Sequence, residues 1–130
     1  MTSIPQDDRP PEPKAEILDR LYEIVCARRD ERPEGSYVVQ LLDAGWSEMA
    51  AKVREEAEEV VVAGRDESDP ALTHEVADLL FHVWVLMASR GIAPDAVYAE
   101  LASRFGIGGI VEKASRTDES GKKGENDAAG

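Results

Sequence analysis

Cysteine is nearly absent: Cys26 stands alone in 130 residues, so no internal disulfide is available. The expectation is a reducing, cytoplasmic compartment. Positive charge is scarce too, with 15 Lys and Arg against 27 Asp and Glu and a formal net charge of -12. Such a surface repels phosphate backbones and anionic headgroups, which argues against nucleic acid and membrane as main partners. It leaves room for a phosphorylated small molecule, provided metal ions and local Lys or Arg neutralise it. No stretch approaches the roughly 18 apolar residues of a membrane span, and the opening MTSIPQDDRPPEPKAE has no apolar run that would serve as a signal peptide. Internal repeats and sustained period-two alternation are also missing.

What remains is helical periodicity between two polar tails. Residues 1–14 hold four prolines among polar residues and read as a disordered arm. Residues 117–130, TDESGKKGENDAAG, read as a loose tail. One domain spans 15–116. In it, Ile17, Leu21, Ile24 and Val25 form the stripe of a first helix ending near Arg29. Pro33 and Gly35 mark a turn, and Ser36 is placed to cap a short helix through Leu42. Ser47 is the expected cap of a long helix from about 48 to 63, closed by Gly64. A further helix over about 71–89 starts at Asp69 or Pro70 and stops at Gly91, and the last runs from Ala93 to Phe105. The fold class is all-α, an antiparallel bundle of four to five helices. Trp46 and Trp84 are read as packing residues.

Within KVREEAEEVVVAG, four glutamates occupy five positions. With Glu55 at 0°, helical geometry puts Glu59 at about 40°, Lys52 at about 60° and Glu56 at about 100°. Met49, Val53, Ala57 and Val60 then form a neighbouring apolar stripe, and Glu58 points away. So Glu55, Glu56 and Glu59 share a face with Lys52, and Glu56 borders the buried side. Taken alone, such a motif is usually a solvated surface.

HEVADLLFHVWVLMA changes that balance. Glu75 and Asp78 lie at i and i+3, with His82 continuing the line, and from Leu79 to Ala88 the helix is apolar nearly all round. A helix of that kind is buried. Repulsion between two carboxylates grows about fourfold as the effective dielectric falls from 80 to 20. Protonation, basic partners or metal must relieve it. A short loop, GRDESDP, makes antiparallel packing of the two helices the simplest arrangement, bringing the glutamate face against Glu75 and Asp78. Carboxylates without thiolate or paired imidazole match Mg²⁺ or Mn²⁺ rather than zinc. The apolar helix also asks for more cover than four short partners give, which points to a homodimer.

Glu55-Glu56-x-x-Glu59 followed by Glu75-x-x-Asp78 resembles the pattern of the all-α, MazG-like NTP pyrophosphatases. LYEIVCARRDERPEGSY, KVREEAEEVVVAG, HEVADLLFHVWVLMASRG and VYAELASRFG narrow the resemblance to the phosphoribosyl-ATP pyrophosphatase family of histidine biosynthesis, over most of residues 17–106. PEGSY and the position of His82 separate this branch better than the acidic motif does. The resemblance implies Mg²⁺-dependent hydrolysis of phosphoribosyl-ATP to phosphoribosyl-AMP and pyrophosphate, and it points to a dimer. Its metal ligands carry over to Glu56, Glu59, Glu75 and Asp78, with Glu55 beside them or acting as base. Arg54 stands where glycine is frequent and Glu58 where an uncharged residue is frequent; neither breaks the metal pattern.

The residues agree with that chemistry. Phosphoanhydride hydrolysis needs charge neutralisation and an oriented water, and a carboxylate not fully committed to metal, Glu55 or Glu56, would accept its proton. Lys52 is a candidate phosphate contact, or else an i,i+4 partner of Glu56. Arg28, Ser36 and Tyr37, near the turn, are candidates for phosphate or ribose; the alternatives are a cap role for Ser36 and a core role for Tyr37. His82 is a satisfied core histidine or a substrate contact. Lys113 and Arg116 in EKASR would fold over the substrate or simply end the ordered chain. Two other functions compete: a MazG-type house-cleaning enzyme acting on simple nucleoside triphosphates, and a non-catalytic acidic adaptor.

Overall fold

The computed structural model describes residues 15–105, and every regular element among them is a helix. These are α1 (Glu16–Glu31), α2 (Tyr37–Ala44), α3 (Trp46–Asp66), α4 (Asp69–Ser89) and α5 (Pro94–Ala102). The all-α expectation therefore holds. The chain divides after Pro94 into two units, the first holding α1 to α4 and the second beginning at Asp95.

The boundaries follow local chemistry. Helix α1 runs past Arg29 to a left-handed Arg32 (φ 51°), whose N–H donates to the Arg28 carbonyl at 2.9 Å. Pro33 then forbids continuation. Ser36 caps α2 as expected, its Oγ accepting the Val39 N–H at 3.2 Å. Helix α2 extends to Ala44, and a single residue, Gly45, joins it to α3. At φ 94° and ψ -178°, Gly45 sits in a region open essentially to glycine alone. That one residue turns the chain, so α3 begins at Trp46 with no side-chain cap, and Ser47 lies inside the helix instead of capping it. A Cβ at Gly45 would meet nothing within 4 Å, so the penalty for adding one is backbone strain alone. Gly45→Ala is expected to cost about 1–3 kcal/mol, read as a lower urea midpoint at unchanged slope.

Gly64 does not end α3. The helix continues to Asp66 and stops at an extended Glu67. Ser68 then caps α4, its Oγ accepting the Ala71 N–H at 3.2 Å, with Pro70 in the first turn where a missing N–H costs nothing. Two residues therefore separate α3 from α4. The far end of α4 closes on Gly91 (φ 71°), with the Ile92 N–H donating to the Met87 carbonyl at 3.0 Å in a Schellman turn.

The core lies on the C-terminal half of α4. Val25, Val38, Leu41, Met49, Val85 and Ala88 are buried together there, with Leu21, Cys26, Phe81 and Leu86 packed around them. Trp84 is buried and donates its Nε1–H to the Leu18 carbonyl at 2.8 Å; Trp46, read as a packing residue, is instead 63% exposed. Arg29 donates to the Ala88 carbonyl at 2.9 Å, tying α1 to the end of α4.

Helix α4 is long and apolar enough, by length and composition, to cross a membrane. This corrects the expectation that no stretch approaches a span: a residue-by-residue count stops at Glu75 and Asp78, whereas an 18-residue average tolerates them. In this fold α4 packs on α1, α2 and α3. Helix α5 starts at Pro94 and ends at Ala102, three residues short of the expected Phe105.

Candidate metal and phosphate site

Helices α3 and α4 pack antiparallel through their two-residue connection, so acidic residues in the middle of α3 come opposite the first half of α4. Glu56, Glu75 and Asp78 each present one carboxylate oxygen, and all three oxygens lie within 4.8 Å of one another. Each residue is half-buried, whereas Glu55, Glu58 and Glu59 are exposed. That matches the helical-wheel expectation that Glu56 borders the buried side and Glu58 faces solvent. Along the adjoining stripe Met49 is buried, and Val53, Ala57 and Val60 are half-buried.

Glu59 lies outside this tight trio. It nevertheless acts on it: partial burial, followed by the charge of Glu59, raises the Glu75 carboxyl above its usual value of 4.5. Glu56 and Asp78 push the same way, and His74 opposes them. On balance the surroundings of Glu75 favour its protonated form. Three hard oxygen donors with no thiolate fit Mg²⁺ or Mn²⁺. Glu56, Glu75 and Asp78 are the residues that would hold such an ion.

The basic and aromatic candidates line up unevenly. Lys52 pairs at i,i+3 with Glu55, Nζ to Oε1 at 3.1 Å, and not at i,i+4 with Glu56, which leaves Glu56 to the cluster. That hydrogen bond, against the cost of desolvation, holds the Lys52 ammonium above its ordinary pKa, with Tyr37 and Glu56 also within electrostatic reach. Ser36 Oγ is engaged by the cap, accepting the Val39 N–H. Tyr37 is 44% exposed, stacks on Phe81 at a centroid distance of 6.0 Å, and shares a 2.9 Å hydrogen bond with His82 Nε2. His82 is buried and its Nδ1 reaches the Asp78 carbonyl at 2.8 Å, so both ring nitrogens are engaged within the protein. Arg28 is exposed on the last turn of α1. Lys113 and Arg116 lie outside the described residues.

His74 escaped the sequence reading. Its Nε2 lies 3.2 Å from the Asp78 carboxylate on the exposed side of α4. The i,i+4 spacing from His74 to Asp78 was the signal that would have found it.

Two antiparallel helices pool carboxylates from facing sides, and the family match gives the class: an all-α pyrophosphohydrolase. The profile of the Phosphoribosyl-ATP pyrophosphohydrolase family matches residues 18–105, and the chain belongs to that family. It is 49% identical over 102 residues to Phosphoribosyl-ATP pyrophosphatase of Trichlorobacter lovleyi, covering 78% of this chain and 94% of the relative. The relatives of the same name from Rhodopirellula baltica and Rhodospirillum rubrum are 50% and 45% identical. Those matches cover 76% and 89% of this chain, and 85% and 98% of the relatives.

Proposed function

We propose that this chain hydrolyses phosphoribosyl-ATP between its α and β phosphates, releasing phosphoribosyl-AMP and pyrophosphate, as the second step of histidine biosynthesis. The observation that carries the reading is the convergence of Glu56, Glu75 and Asp78 in a chain half identical to enzymes of that name.

In this reading Glu56, Glu59, Glu75 and Asp78 hold Mg²⁺, with Mn²⁺ as a substitute. The bound ion supplies charge neutralisation for the phosphate oxygens and a more acidic water. Glu55 or Glu56 accepts the proton as the water oxygen bonds to phosphorus and the bridging P–O bond breaks. The Lys52 ammonium faces the phosphates, helped by Arg28 and by the Ser36 hydroxyl, whose proton the cap leaves unused. Lys113 and Arg116, outside the described residues, remain candidate substrate contacts.

A homodimer completes the molecule. Val76 on α4 is 39% exposed and Val61 on α3 is 58% exposed. A second copy would cover these residues, and a cytoplasmic compartment suits the reaction.

The test is direct. Purified protein with Mg²⁺ should release pyrophosphate from phosphoribosyl-ATP faster than from ATP, GTP or dUTP, and the gene should restore growth to a histidine auxotroph lacking this step. Preference for a simple triphosphate would move the chain to the house-cleaning alternative. No hydrolysis and no effect of Mg²⁺ on melting would favour the adaptor.

A further inference from the structure

The hydrogen bonds around His82 have a fixed direction. A carbonyl oxygen only accepts, so the 2.8 Å contact with the Asp78 carbonyl requires His82 Nδ1 to carry the proton. The neutral ring then has none on Nε2, and the 2.9 Å contact there requires the Tyr37 hydroxyl to donate. With its one proton committed, the phenol oxygen has only lone pairs left for anything that approaches. It can accept and cannot donate. Metal-bound phosphate oxygens are acceptors themselves, so this phenol is the wrong partner for them; sugar hydroxyls are donors. The place fits as well. His82 stands one helical turn, about 6 Å, beyond Asp78 on α4, and Lys52 lies within electrostatic reach of Tyr37. When phosphates occupy the acidic cluster, the next group along the substrate from the α phosphate is a ribose.

We infer that Tyr37 accepts a hydrogen bond from a ribose hydroxyl of the substrate, and that His82 is a positioning residue that sets the polarity of the phenol without touching the substrate. The inference rests on the proposed reaction and assigns sugar recognition within the same site.

The two products separate sugar from phosphate, so inhibition by each reads the contact. For Tyr37→Phe at about pH 8, with Mg²⁺ present, KM and the inhibition constant of phosphoribosyl-AMP should both rise about three- to tenfold, the value of one neutral hydrogen bond. The inhibition constant of magnesium pyrophosphate should not move. His82→Gln, which keeps an acceptor toward Tyr37, should stay near the wild type, and His82→Leu should reproduce the Tyr37→Phe pattern. Imidazole ¹⁵N shifts of the wild type should report the Nδ1–H tautomer, a readout independent of turnover. An Nε2–H tautomer overturns the inference, as does pyrophosphate inhibition weakening as much as that of phosphoribosyl-AMP, or neither changing. Those results would leave the pyrophosphatase reading standing; a wild type that does not act on phosphoribosyl-ATP removes both.

Discussion

Asp78→Asn should lower kcat on the order of a thousandfold while the helical circular dichroism stays as it is. The scale is that of removing one preorganised group that stabilises developing charge. Asp78 is one of three half-buried carboxylates whose oxygens gather within 4.8 Å, so the amide removes a proposed charged ligand and puts a hydrogen-bond donor in its place. Its side chain is 41% exposed and its ion-pair partner is the exposed His74 at 3.2 Å, which is why the fold should survive. Glu59→Gln is expected to follow the same pattern, through its charge on Glu75 and its proposed place in the ligand set. Glu58→Gln is the control: it is exposed and faces away, and its kcat/KM should stay within about twofold of wild type. Equal losses in all three would mean that the facing of α3 has been misjudged.

The second large effect is on stability, and metal reverses its sign. The folded-state pKa of Glu75 lies above its usual 4.5, through partial burial and then the charges around it. The folded protein therefore binds this proton more tightly than the unfolded chain does. Its stabilising contribution is fully present below the unfolded pKa and is lost as pH rises through the folded value. Without metal, the contribution of Glu75 should pull the melting temperature down as pH climbs from about 4.5 toward neutrality, and Glu75→Gln should flatten that fall and melt higher than the wild type at pH 7. Mg²⁺ should reverse the order. An ion that binds only the folded state stabilises it by about 2.7 kcal/mol at a hundredfold excess over Kd, and Glu75→Gln should lose most of that gain. Calorimetry with EDTA and with Mg²⁺ decides it. If the variant is less stable than wild type in EDTA, the carboxylate is a structural group and the metal assignment loses its electrostatic basis.

Much of this site was legible because helices convert spacing into direction. Glu56 at the border of the apolar stripe, Glu58 pointing out, and Glu75 with Asp78 on one line all follow from about 100° per residue, and the fold places them accordingly. The cap at Ser36 was legible for a similar reason, since its hydroxyl acts within three residues. Mistakes arose where two local signals competed. Gly64 resembles a helix stop, but its backbone never needs positive φ, so α3 runs on until Ser68 offers a better start for the next helix. Ser47 resembles a cap, but the turn is made two residues earlier by Gly45, whose backbone torsions a sequence does not display. Trp46 was assigned to packing by its side chain, and it lies on the surface at that same corner.

The chain's order of residues was enough to establish helical content, the acidic face of α3, the acidic start of α4 and the family, because each depends on neighbours within a turn or two. Pairing across the molecule was not available in that way. Only the packed bundle decided that Lys52 goes to Glu55, that Glu59 stands off from the trio, and that Tyr37, 45 residues from His82, closes a chain of hydrogen bonds onto the Asp78 carbonyl. Contacts of that kind depend on side-chain rotamers and on the separation of whole helices, which spacing along a sequence leaves open.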